Sequence, residues 1–88
     1  MTYATDSLTA PATEPTFLIS YLLTSDGHEG GGFRLKLFAG GQEEGGGVFP
    51  VEAYQDEMIS DPEARHQAAL VCAWNDAHET GTTWLNSR

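Results

Sequence analysis

The side chains able to do chemistry in this chain are three histidines, one cysteine and a dense set of carboxylates, and their spacing limits what they can do. His28, His66 and His78 include no i, i+4 pair of the kind that grips a metal on a helix. No Asp-x-Asp-x-Asp-Gly calcium loop is present. Cys72 stands six residues from both His66 and His78, so neither shares a helical face with it and a thiol–imidazole pair is not predicted. Gly27-His28-Glu29-Gly30-Gly31-Gly32 has the composition of a phosphate cradle. It leads toward another strand rather than a helix N-terminus, and it lacks the usual lysine. The carboxylates have no evident apolar pocket to shift their pKa values for acid–base work. The reading is therefore of a protein that is not an enzyme and uses no cofactor or metal.

What remains is charge. Seven carboxylates lie between Glu43 and Glu63 (Glu43, Glu44, Glu52, Asp56, Glu57, Asp61 and Glu63), uninterrupted by Lys or Arg. The whole chain holds 13 Asp and Glu against 4 Lys and Arg, a formal net charge of -9 over 88 residues. Such a surface repels DNA, RNA and anionic lipid, and suits a basic protein partner. The plain alternative is a solvated acidic face that serves only solubility. One cysteine excludes an internal disulfide and fits a reducing compartment. No basic stretch followed by an apolar run opens the chain, and no apolar run is long enough to span a bilayer.

The elements that must position these groups follow from periodicity. Residues 1–15, rich in Thr, Ala and Pro, read as a flexible N-terminal arm before a single domain over 16–88. Thr16–Ser25 alternates as a strand, and apolar residues on both of its faces predict a central position. Phe33–Ala39 alternates cleanly, with Arg34 and Lys36 outward in the manner of a protected edge. The two form a hairpin across the Gly-rich link. Gly40–Gly47 reads as a flexible loop. Val51, Tyr54 and Met58 recur at the spacing of a short helix with its apolar side inward, while Glu52, Gln55, Asp56 and Glu57 face out. Ser60-Asp61-Pro62-Glu63 is a helix start, with Ser60 and Glu63 at capping-box spacing and Asp61 as an alternative cap. The helix is predicted to run to about His78 with Leu70, Val71 and Trp74 inward, and to be stopped by Gly81. Thr82–Asn86 then reads as a third strand. The expected fold is α+β, a small three-stranded antiparallel sheet with a short and a long helix on one face, in the order β-β-α-α-β.

Phosphates of B-DNA recur about every 3.4 Å along a strand. Carboxylates on the first helix, with Asp61 and Glu63 beyond it, project negative charge at comparable intervals. A rigid array of that kind loses little ordering entropy when it binds a cationic groove. Tyr54, set among these charges, combines contact area with a polar tip and is a candidate interface anchor.

In order along the chain stand a Thr16-Phe17 strand opening, Gly31-Gly32-Phe33, Ala39-Gly40-Gly41-Gln42, Ala53-Tyr54-Gln55-Asp56, a Ser60-x-Pro62 break and a terminal Trp84-Leu85-Asn86. On these pieces, residues 16–86 resemble the small acidic anti-CRISPR proteins that phages make against type I-F Cascade, the β-β-α-α-β family that binds the large (Cas8-type) subunit. The resemblance implies a stoichiometric inhibitor in the host bacterial cytoplasm. It would occupy the basic surface that reads target DNA at the PAM, without itself binding nucleic acid or membrane. It places partner contacts at Asp26 in the first hairpin loop and at Tyr54 and Asp56. The charge reading adds Glu43, Glu44, Glu52 and Glu57. The chain departs from the family pattern at Gln55, in its longer first loop, in Gly45–Gly47 and in its 15-residue arm. The competing reading is an acidic antitoxin or immunity protein that neutralises a basic toxin or nuclease.

Overall fold

The computed structural model describes residues 14–22 and 30–88. Three strands, β1 (Thr16–Leu22), β2 (Gly32–Ala39) and β3 (Gln42–Pro50), form one antiparallel sheet in the order β1-β2-β3. A single 3-10 turn (Val51–Tyr54) follows, and one long helix, α1 (Pro62–Asn86), completes the described chain. The fold is α+β, and the first hairpin pairs as its alternation predicts, from Thr16 opposite Phe38 to Leu22 opposite Gly32.

The remaining order differs from β-β-α-α-β. The third strand is Gln42–Pro50, the stretch that reads as a loop, and Thr82–Asn86 lies within α1. Glycine has no side chain to advertise a strand, so Gly45–Gly47 carries no alternation. Backbone pairing makes the strand instead: Gly45, Gly46 and Gly47 lie opposite Leu37, Lys36 and Leu35. A Cβ on Gly46 would sit 2.0 Å from the Leu35 carbonyl oxygen, so only glycine fits this close approach. Gly40 and Gly41, at φ +64° and +80°, supply the pair of positive φ angles that a two-residue type I′ hairpin needs. Among the described residues strand β2 is therefore central and β1 is an edge. Arg34 and Lys36 project from the middle of the sheet rather than from its rim.

The expected first helix is only the four-residue 3-10 turn. Its continuation is diverted by Asp56, whose Oδ1 accepts the Met58 backbone N–H at 3.0 Å and so competes with a helical ladder. In 3-10 geometry residues i and i+3 eclipse. Val51 is accordingly buried and Tyr54 half-buried against the core, while Met58 falls beyond the turn and is 90 % exposed.

Helix α1 begins within the predicted Ser60–Glu63 start, with the alternative cap Asp61, in place of Ser60, as its N-cap. Its Oδ2 accepts from the Ala64 N–H at 2.9 Å, and Pro62 occupies the first turn. Gly81 does not stop it. The buried line on α1 is Ala69, Ala73, Ala77 and Gly81, a repeat of four, and Val71, expected inward, is 60 % exposed. Small residues let the helix approach a sheet already filled by large ones: Ile19, Phe33 and Leu35 form the core with Ala73 and Ala77. Phe17 presses on Gly81 so closely that an added Cβ would lie 2.7 Å from the ring. A glycine inside a helix costs about 1 kcal/mol relative to alanine. Here that cost is offset by seating the partly buried Phe17 ring against the helix.

Candidate protein-binding surface

The carboxylates between Glu43 and Glu63 fall into two groups, because β3 stands between them. Glu43 lies opposite Phe38 at the start of β3, whereas Pro50 lies opposite Gly32 at its other end. At roughly 3.3 Å per residue this separates the groups by about 23 Å.

At the first group the pairing register shifts between Leu37 and Phe38, so Glu44 is the extra residue of a bulge. Its carboxylate meets the Arg88 guanidinium at 3.4 Å. Arg88 also lies 4.8 Å from the centroid of Trp84, which ties the chain's end to the last turn of α1. Glu43 and Glu44 are both exposed.

The second group is built on the 3-10 turn, the segment after it and the first turn of α1. Glu52, Asp56, Glu57, Asp61 and Glu63 are all exposed. Two of them organise backbone. Asp56 accepts from Met58 N–H, its carbonyl accepts from Ile59 N–H at 3.1 Å, and Asp61 caps α1. Arg65 is turned inward on the same segment: its Nε donates to the Ile59 carbonyl at 2.9 Å. That bond braces the segment from behind and leaves the carboxylates on the outside. Between Asp56 and Asp61 the tip carries Met58, an apolar side chain standing in solvent among charges. Sequence periodicity missed Met58 as a surface residue, since it presumes a helix that ends four residues earlier. Asp56 two residues before an apolar side chain was the available signal of a turn.

Tyr54 has a structural task. Its hydroxyl donates to Asp76 Oδ2 on α1 at 2.5 Å. Burial first, and then the hydrogen bond and charge of Asp76, push its pKa up to about 12. The phenol thus stays protonated and clamps the 3-10 turn to the helix. Asp26 lies outside the described residues.

His78 is occupied by packing: it stacks on Trp74 with ring centroids 4.8 Å apart and meets Phe17 edge-on at 5.8 Å. Cys72 is exposed. Among the described residues no group of three His, Cys, Asp or Glu side chains is placed to hold a metal ion. No helix among them is long and apolar enough to cross a membrane. A shallow groove of about 270 Å³ between α1 and the sheet is lined mainly by Tyr21, Phe33, Leu70, Val71 and Trp74.

Comparisons of the chain with protein families, with characterised proteins and with solved structures return no match.

Proposed function

We propose that this chain is a stoichiometric inhibitor that presents an acidic tip to the cationic DNA-binding surface of another protein. The partner class we assign is the large, Cas8-type subunit of a type I Cascade complex, which makes the chain a phage anti-CRISPR protein that acts by charge mimicry. One observation carries the reading. Met58 is 90 % exposed at the centre of a braced turn whose flanking side chains are Asp56, Glu57, Asp61 and Glu63. An exposed methionine is a flexible apolar anchor, and exposed carboxylates on the same short stretch of chain steer a basic partner. The net charge of -9 acts in the same sense. The observed strand and helix order is not the one the family resemblance implies, so support for the reading comes from the tip and its charge.

The test is binding of the purified chain to a type I-F Cascade complex in competition with target DNA. Charge steering predicts an affinity that falls by about tenfold or more as salt rises from about 0.05 M to about 0.5 M, where screening shortens from roughly 14 Å to roughly 4 Å. Binding of a basic nuclease toxin with no binding of Cascade would select the immunity-protein reading. Binding of neither would leave the acidic surface a solubility device.

A further inference from the structure

The two acidic groups are joined by an open sheet edge. Strand β3 pairs with β2 on one side, and among the described residues no strand pairs with its other side. Gln42–Gly46 and Val48 are exposed along it. Exposed edges are normally blunted by lysine, by proline, by bulges or by a covering element. Here the bulge at Glu44 and the proline at Pro50 sit at the strand's two ends. Between them Gly45, Gly46 and Gly47 add no side chains, so the backbone of a second chain can approach closely. Carboxylates flank this stretch: Glu43 and Glu44 precede the glycines, and Glu52 lies just past Pro50.

We infer that the β3 edge accepts an extended basic segment of the partner protein as a fourth strand. Main-chain hydrogen bonds to the glycine stretch would hold it, and a Lys or Arg near the hairpin end would meet the exposed Glu43 carboxylate. About seven extended residues span the distance between the two acidic groups. Charge chooses this occupant over a second copy of the chain, since two bodies of formal charge -9 repel. The inference rests on the acidic-inhibitor reading and deepens it by naming the partner's conformation.

The probe is a synthetic peptide, Lys-Thr-Val-Thr-Val-Thr-Lys, added to the full chain and followed by amide hydrogen exchange and NMR shifts. Strand addition predicts slowed exchange and shifted resonances at Gly45–Phe49. It predicts no binding by the same peptide with glutamate at both ends, and none with its two valines replaced by proline. Neutralising the flank with Glu43→Gln plus Glu44→Gln should weaken binding about fivefold. Shifts confined to other elements, equal binding of the proline peptide, or β3 protection that grows with protein concentration alone would each overturn strand addition. Salt-sensitive binding to Cascade without any peptide effect would sink this inference only. Failure of both would sink the parent reading as well.

Discussion

The acidic residues at the hairpin end and those at the tip are of the same type, yet the fold uses them differently. Glu44 meets a cation, Arg88, across a solvent-exposed gap. Asp56 and Asp61 instead accept backbone N–H groups and so define the turn that displays Met58. Surface ion pairs contribute little, with a median near 0–1 kcal/mol. Side-chain caps contribute about 1 kcal/mol and also fix a conformation. The lesson is that an acidic run is not one feature. Some of its members organise backbone, and others, such as Glu57, stand exposed to solvent.

The largest effect should come from the hairpin that carries Glu43 and Glu44. Gly46→Val forces a Cβ into the Leu35 carbonyl. It should destabilise the fold by about 3 kcal/mol in denaturant unfolding. A near-neutral result would mean that the glycine stretch is loosely held and that the two regions differ less than described. At the tip, Asp61→Ala should cost about 1 kcal/mol, and Asp61→Asn much less, since asparagine caps as well.

Tyr54→Phe sharpens the comparison from a third side. It removes the clamp to Asp76 and should cost about 1 kcal/mol at neutral pH. The pH dependence has a definite sign. The folded-state pKa is raised from 10.0 to about 12, so the contribution is whole below pH 10 and is lost as pH climbs toward 12. Unfolding curves of the parent chain should show this decline, and those of Tyr54→Phe should show a flatter one. The smallest effect is expected for Arg88→Ala, at most about 0.5 kcal/mol, because its pair with Glu44 is exposed. A cost above that of Asp61→Ala would reverse the ranking of the two regions.

Several of these elements are legible in the amino-acid sequence, and the failures share a cause. Phe33, Leu35 and Leu37 alternate with Arg34 and Lys36, and that pattern, with the alternation of β1 and the Gly-rich link, places β2 in a hairpin with β1. Asp61-Pro62-Glu63 marks the start of α1 because capping chemistry is local. Glycine is ambiguous. At Gly46 it permits a strand contact and at Gly81 it seats Phe17 inside a helix, yet both read as interruptions. Its meaning depends on what lies across from it, which no local window contains. The same holds at the candidate site. The negative charge of residues 43–63 is plain in the sequence, but its division into two groups needs the pairing of β3. Tyr54 reads as an anchor, whereas its hydroxyl is committed to Asp76, twenty-two residues away.

The central claim is that the tip, through its exposed carboxylates and Met58, is the surface that meets a cationic partner. Glu57→Lys combined with Met58→Ala reverses one tip charge and removes the apolar anchor without touching the Asp56 and Asp61 backbone contacts. The decisive measurement is the Cascade affinity of this double variant beside that of the parent chain, with unfolding curves to confirm equal stability. Loss of at least about a hundredfold in affinity, roughly 2.7 kcal/mol, at unchanged stability is the predicted result. A stably folded double variant that binds as tightly as the parent would contradict the account.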